Sequence, residues 1–598
     1  MEIVKKINQI LQEYSSGNKV NAYKKLKKIF FQHQNNNKIR FNIAVMEQEL
    51  GFTTEARNNY TFLIDKENHL KSMINLYLLE LKEEKNIDAL NIINKILDKD
   101  NSLINVLVDK AFVYYKLNKI KESLDICTSL LKQKKSDVRV LNILGLCFFA
   151  KKNYKEAESI FLNGLDIDPN FIPLLNSLGR LYHESRETNK AEKIFLKALS
   201  IQPTAYQTIN NIAGYYLEEG GYEKAIKYYK KAIELNSKNA IIINNIAKAY
   251  LSLNNTNLAE YFCSKALKIN KNNDEIKKTF ALIFLRKLDF KKAWKYFDGR
   301  FSLSDFSNKN KSLIYVKNKL FNLSTLDNNS KILVLREQGV GDEILYGSMY
   351  GDLLEKNQNV TIECDERLIP LFKYSFNKNH KHKFINLGSI SKHEDKLKNY
   401  DFVLYAGSLG KFFRNNINLF PKTSYLDVEQ ELINQNKNKV AELKNRFNIG
   451  ISWKSFKNRY AREKSLELEE LINIFKTPNC NFINIQYGDV NEEINIFCSK
   501  YKINITTIKN LDLFKNLAGV AGLLKNLDLF ISVSNSTAHL AGALGVKTLL
   551  IKPFNHATYH YWNQPSSKTP WYSSIILINK ETINEENNII KKNLDKLE

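Results

Sequence analysis

A 34-residue period constrains this chain more than any other feature. Gly145, Gly179, Ala213, Ala247 and Ala281 stand at successive steps of 34. Twelve residues after each comes Ala157, Ala191, Ala225, Ala259 and Ala293. Aromatics follow the first set at two further offsets: Phe148, Tyr182, Tyr216 and Tyr250, then Phe161, Phe195 and Tyr229. Pro169 and Pro203 close two of the units. Small residues let two helices approach, aromatics fill the space between them, and proline stops the second helix before the next unit begins. One supersecondary unit is therefore repeated, and each copy buries its apolar face only by stacking on its neighbours.

These offsets closely resemble the tetratricopeptide repeat, a 34-residue helix–turn–helix unit. The clearest units span 138–271. Fainter copies precede them, at Ala111 and at Tyr77 with Ala89, and a partial copy follows at 280–301. Residues 1–301 are thus expected to form seven or eight helix pairs in a right-handed superhelix. Asn142, Asn176, Asn210 and Asn244 share the period, three residues before the small position and on the side expected to line the concave groove. Amides carry both donors and acceptors and suit an extended peptide backbone. Asparagine is also common throughout the chain, and compositional bias explains the ladder equally well. A comparable asparagine ladder in O-linked N-acetylglucosamine transferases holds protein substrates, and that resemblance favours a binding groove.

The formal net charge is +25. Basic surfaces meet nucleic acid, anionic lipid or phosphate-bearing small molecules. Here Lys and Asn are spread along the whole chain, a global bias, and no RNA-recognition or Cys/His-finger signature accompanies them. No nucleic-acid partner is expected. The six cysteines form no Cys-x-x-Cys pair and sit in apolar contexts, as buried free thiols do. The first residues, MEIVKKINQILQEYSSG, lack the apolar core of a signal peptide. No stretch approaches the roughly 18 apolar residues of a membrane span. A cytoplasmic protein is expected, with at most peripheral membrane association.

Residues 302–330 are polar and read as a connector, after which strands and helices alternate. Strands are expected at 331–335, 360–363, 383–387 and 402–405, then at 449–453, 481–486, 529–532 and 548–551. The pattern divides into a first lobe at 331–430, a linker helix at 431–447, a second lobe at 448–580 and a terminal helix or tail at 581–598. Two successive α/β lobes place a ligand cleft between them, at the carboxyl ends of the strands. Four segments appear in order: LREQGVGDEILYGSMYGDLLEKNQNVTIECDERLIPLFKYSF, GISWKSFKNRYAREKSLELEEL, NIQYGD and ISVSNSTAHLAGALGVKTLLIKPF. They resemble the glycosyltransferase domain related to heptosyltransferases, glycosyltransferase family 9, in the version fused to tetratricopeptide repeats. That resemblance implies a GT-B fold of two Rossmann-like lobes, with the acceptor on the first, the sugar nucleotide on the second, and no metal or cofactor. The expected class is α followed by α/β.

Sugar transfer requires a base for the acceptor hydroxyl, charge for the departing diphosphate, and in-line positioning of both substrates. Asp342 is the candidate base, at the Gly-Asp that follows the first strand. Aspartate is equally favoured at a helix start for capping alone. Glu343 and Glu337 are alternatives. Gly339 and Gly341 are expected to permit the turn and close substrate approach. The segment 453–464 carries Lys454, Lys457, Arg459, Arg462 and Lys464, a basic loop suited to a diphosphate, or simply a solvated loop in a basic chain. By resemblance, Lys464 is the phosphate lysine. Ser534, Asn535, Ser536 and Thr537 would cap the next helix and offer N–H groups to phosphate, with His539 as a further donor or as a packing residue. Gln486 and Gly488 are expected near the base or ribose. Pro553, Phe554, Trp562 and Trp571 are expected to wall the second lobe. Ser534 stands where the family usually carries an acid.

The expected function is an inverting glycosyltransferase moving a sugar from a nucleotide-sugar to a hydroxyl, on a protein held by the repeats. Two alternatives stay open: a non-catalytic repeat scaffold with a degenerate transferase domain, and an envelope-polysaccharide transferase whose acceptor is a glycan.

Overall fold

The computed structural model describes residues 2–133, 137–235, 239–302, 316, 327, 329–376, 382–441, 443, 447–456, 464–552, 560–562 and 567–580. The connector at 303–326 lies almost wholly outside these residues, and the tail at 581–598 entirely so. The chain divides into two compact units, Met1–Tyr215 and Tyr216–Glu598. That division falls inside the repeat array rather than at its end.

Among the described residues, eighteen α-helices run from Glu2–Ser15 to Phe290–Phe297 ahead of the first strand. They make nine pairs, because Glu2–Gln32 adds one that the periodicity alone does not show. The small-to-aromatic offset has a direct steric meaning. A Cβ on Gly145 would overlap the Phe161 ring, and one on Gly179 would lie 2.6 Å from Phe195 Cε1. The abundant asparagines do local work at the helix starts. Asn36, Asn239, Asn255 and Asn273 each accept a hydrogen bond from the backbone N–H three residues on. The turns inside the pairs carry a second ladder. Glu84, Asn118, Lys152, Arg186, Gly220, Asn254 and Leu288 all have positive φ and stand 34 residues apart. Each ends a first helix in the left-handed conformation, yet only Gly220 and the two asparagines are residue types that favour it.

The region after residue 330 holds two sheets. In the first, β1 (Ile332–Leu335), β2 (Val360–Cys364), β3 (Lys383–Asn386) and β4 (Phe402–Tyr405) are all parallel, in the order β3-β2-β1-β4. In the second, β5 (Phe447–Ser452), β6 (Cys480–Asn484), β7 (Ile505–Thr506), β8 (Leu529–Val533), β9 (Thr548–Ile551), β10 (Lys568–Thr569) and β11 (Tyr572–Ile578) run β10-β11-β9-β8-β5-β6-β7. Only the β10–β11 pairing is antiparallel. Strands buried on both faces read as short apolar runs, and β1, β8 and β9 do so. The linker helix, Gln430–Ala441, is shorter than expected. It packs on Leu517–Leu524, where a Cβ on Gly522 would meet the Leu432 carbonyl oxygen at 2.6 Å.

Within the second unit, the last repeat helices join the first sheet through buried contacts. The Trp294 indole N–H donates to the Arg414 carbonyl at 2.8 Å, with its ring under Gly410. Arg300 is buried against Glu337, Nε to Oε2 at 2.9 Å, and also donates to Ser408. Among the described residues, no helix is long and apolar enough to cross a membrane.

Candidate active site

In each sheet one eight-residue helix begins just after a central strand: Val340–Gly347 after β1, and Ser536–Ala543 after β8. The left-handed turn after β1 is made by Gln338, φ 62°, whereas Gly339 is extended, φ −99° and ψ 173°. The expectation that glycine supplies the turn is corrected accordingly. Gly341 has another reason to lack a side chain. A Cβ there would sit 2.8 Å from His539 Cδ2, so the two helix starts meet at this glycine.

Asp342 stands at the third helical position, half-buried, and its Oδ2 accepts from the Gly339 N–H at 3.2 Å. Both readings of this residue, cap and cleft carboxylate, are therefore compatible with its place. Its charge bears on Tyr346 and on Tyr572, which ties it to the second lobe.

The two alternative acids are corrected. Glu337 is fully buried in the Arg300 ion pair and accepts from the Gly407 N–H, so no substrate proton reaches it. Glu343 turns the other way from Asp342, one residue on. Its Oε1 lies 2.5 Å from Arg336 Nε, without the alignment of a hydrogen bond, and Oε2 accepts from the Asp365 N–H at 2.9 Å. Burial, against the pull of Arg336, pushes its carboxyl up to about 7. Asp365 in turn holds Arg367 in a two-pronged pair, Nε–Oδ1 2.7 Å and Nη2–Oδ2 2.9 Å. Arg367 then crosses to the second lobe, donating to the Phe514 carbonyl at 3.2 Å with its guanidinium over the Phe514 ring.

On the second side, the four polar residues at the helix start are mostly occupied. Ser534 is buried and accepts from the Trp562 indole N–H at 3.0 Å. Asn535 is the helix cap, accepting from Ala538 N–H at 3.0 Å and donating to Ser452 Oγ at 2.7 Å. Thr537 is buried, and Ser536 alone of the four is partly exposed. Ser534 and Asn535 are thus corrected from phosphate contacts to supports of the loop. His539 is buried, with Nδ1 2.8 Å from Tyr572 Oη. Burial first, then the nearby Lys464 charge and His560, hold its imidazole down to about 3, so it is neutral. Lys464 is nine-tenths buried, and its charge bears on His539. Arg462, with Lys457, Arg459, Pro553 and Phe554, lies outside the described residues.

Lys454 is corrected as well: its ammonium pairs with Glu493 at 2.7 Å, away from the helix start. Gln486 is a buried knot, its Oε1 accepting from Ser452 Oγ, Trp453 N–H and Lys454 N–H at 3.0, 2.9 and 2.7 Å. The exposed rings in that area are Phe456 and Phe514, which flank Tyr487 at centroid distances of 5.7 and 6.1 Å. Sequence reasoning missed this aromatic rim, along with Arg367, Tyr425 and Tyr572. Its available signal was aromatic residues just after the second-lobe strands.

The repeat asparagines also differ from the expectation of an open ladder. Asn142 accepts from Ser177 Oγ at 2.7 Å and Asn176 donates to Thr208 Oγ1 at 3.0 Å, each bridging to the next repeat. Asn244 is 1% exposed, against Cys263. The Oδ1 atoms of Asn176 and Asn210 have no hydrogen-bond partner. Two of the four asparagines, Asn142 and Asn176, thus staple neighbouring repeats, while the Oδ1 atoms of Asn176 and Asn210 keep acceptor capacity that no described protein group uses.

A model of the N-terminal TPR repeat region of Psidin matches residues 76–183, a TPR repeat model matches 215–254, and a tetratricopeptide repeat model matches 172–204 and 240–273. The N-terminal region carries tetratricopeptide repeats. Protein FlbA of Caulobacter vibrioides is 28% identical over 257 residues, covering 41% of this chain and 42% of FlbA. The chain thus spans about two fifths of that relative's length. Among solved structures, a tetratricopeptide repeat protein of Parabacteroides merdae is 19% identical, over 42% of this chain and 98% of its own, with TM-score 0.34. A thermophilic TPR protein of Thermus thermophilus is 21% identical over 30% and 98%, TM-score 0.29. YrrB, described as a TPR protein with an unusual peptide-binding site, is 17% identical over 31% and 95%, TM-score 0.24.

Proposed function

We propose that the two-sheet region is a glycosyltransferase of the GT-B kind, related to heptosyltransferases, and that the tetratricopeptide repeats present its acceptor, a protein. The observation that supports this reading best is the meeting of the two helix starts at Gly341 and His539. On this reading the Asp342 carboxylate, the Lys464 ammonium and the Ser536 helix start border one cleft beyond the carboxyl ends of β1 and β8. The acceptor hydroxyl gives its proton to Asp342, and its oxygen bonds to the anomeric carbon. The bond from that carbon to the diphosphate breaks on the opposite face, with inversion. Lys464 and the N–H groups of the Ser536–Ala543 helix balance the charge of the departing nucleoside diphosphate. Phe456, Tyr487 and Phe514 offer flat apolar surface for its base. The deciding measurement is sugar-nucleotide turnover by the full chain beside Asp342→Asn; equal turnover in both removes Asp342 from the mechanism.

A second reading has its own observations. Ser534, Asn535 and Lys454 are all satisfied within the protein, as they would be in a domain retained as a scaffold. That reading expects partner capture through the repeats and no thermal shift with any UDP-, GDP-, ADP- or CMP-linked sugar. A glycan acceptor, as for an envelope-polysaccharide transferase, differs only in which acceptor turns over.

A further inference from the structure

We propose that the outer face of the last repeat helices is a docking surface for an anionic lipid bilayer. Tyr222–Leu235 and Thr256–Ile269 are the second helices of consecutive pairs, and both pack on Ala240–Ser252. They bury the same register: Ala225, Tyr229 and Ala232 in one, Ala259, Cys263 and Ala266 in the other. Their far sides match as well. One exposes Lys224, Lys227, Lys231 and Leu235 along a single helical stripe. The other, 34 residues on, exposes Leu258, Tyr261, Lys265 and Ile269. Lys292 and Lys295, on Phe290–Phe297, continue the first two positions of that stripe.

Charge singles this face out from the general abundance of lysine. The three helices carry nine lysines and three glutamates. The five second helices between Thr53 and Ile201, in the first unit, carry nine basic and ten acidic residues. Lys19–Gln32 is basic too, but its Lys19 and Lys25 are paired with Glu49 and Glu13. Pairing separates the layers of the second unit in the same way. On the first helices, Lys248 meets Glu275 and Lys277 meets Asp274. On the outer face, Lys227, Lys230, Lys231, Lys265 and Lys268 make no ion pair among the described residues. Glu260 is already held by Lys287, which leaves Glu223 and Glu234 as the exposed acids there.

The apolar groups between these ammoniums decide the partner. Tyr261 is 61% exposed, Leu235 45% and Ile269 44%. A phosphodiester backbone offers aliphatic side chains nothing to bury against. An anionic bilayer takes both kinds of group. The ammoniums reach the headgroups, while their stems, the aliphatics and the tyrosine ring enter the interfacial layer. This inference is independent of the transferase reading.

The test is sedimentation of the full chain with vesicles of phosphatidylcholine alone and of equimolar phosphatidylcholine and phosphatidylserine. Binding is expected to the second only, and should fall steeply with added salt. Lys227→Gln, Lys231→Gln, Lys265→Gln and Lys268→Gln together should weaken it roughly a hundredfold. The same exchange at Lys121, Lys155, Lys193 and Lys197, on second helices of the first unit, should weaken it less than about threefold, since charges held off the surface are screened. Tyr261→Ser with Ile269→Ser should cost about tenfold and leave the salt dependence unchanged. Every exchanged position is exposed, so each variant keeps its fold, which circular dichroism checks. Equal loss from the two lysine sets, or no binding to either vesicle, overturns the proposal. So does vesicle binding that ignores the Tyr261 and Ile269 exchange while duplex DNA or polyglutamate binds the same lysines as tightly, which gives the face to a nucleic acid or an acidic protein instead.

Discussion

The helices Val340–Gly347 and Ser536–Ala543 occupy equivalent places, each eight residues long and each starting just beyond the carboxyl end of a central strand. They are built with opposite chemistry. The first opens with two acids, Asp342 and Glu343. The second opens with Ser536 and Thr537 under an asparagine cap, and its only titratable side chain, His539, is kept neutral. A helix start stabilises negative charge. The first lobe spends that on its own carboxylates, and the second leaves it available to a ligand. On the transferase reading proposed above, that difference assigns the proton to the first side and the anion to the second.

Four experiments break or sharpen this contrast. The largest effect is expected from Asp342→Asn, which keeps an oxygen for the cap but removes the base. Turnover should fall roughly 10²–10⁴-fold with an unchanged melting profile. Next comes the acid beside it. Glu343 titrates near 7 when folded, above the 4.5 of an unperturbed carboxyl, so the folded state holds the extra proton between those values. Stability is therefore full below the unfolded value, falls as pH rises towards 7, and the loss is complete above it. The span is about 3 kcal/mol, and urea unfolding at a series of pH values should show that fall flattened in Glu343→Gln. Gly341→Ala would push a methyl into the His539 ring where the helices meet, at a cost of about 2 kcal/mol in the same unfolding assay, with turnover falling too. Asn535→Ala removes a neutral cap and should cost about 1 kcal/mol, leaving the first helix start intact.

Legibility in the sequence followed the range of the interactions. Strands β4 and β9 begin and end where their apolar runs do, because a buried parallel strand needs no partner information to look apolar. Strand β11 went unread, since it opens on Tyr572, Ser573 and Ser574 and sits beyond a polar stretch. The turn ladder from Glu84 to Leu288 was equally silent: when a left-handed turn is imposed by the helix pair around it, residue type no longer marks it. The strand–turn–helix pattern did place Asp342 and the Ser534–His539 segment at helix starts, where the structure has them. Glu337, Gln486 and Lys454 were misread because polarity beside a strand end does not say whether a partner, Arg300, Ser452 or Glu493, already waits for it.

The sequence by itself determined the repeat, its helix pairs, the two sheets and the residues offered to the cleft. All of these rest on local periodicity and on which side chains avoid water. Tertiary structure alone decided which of the offered residues meet. It set Gly341 against His539, turned Glu343 inward beside an outward Asp342, and brought Tyr572 from the last strand onto the His539 imidazole. Contacts between residues far apart in the chain leave no trace in the local pattern of apolar and polar side chains.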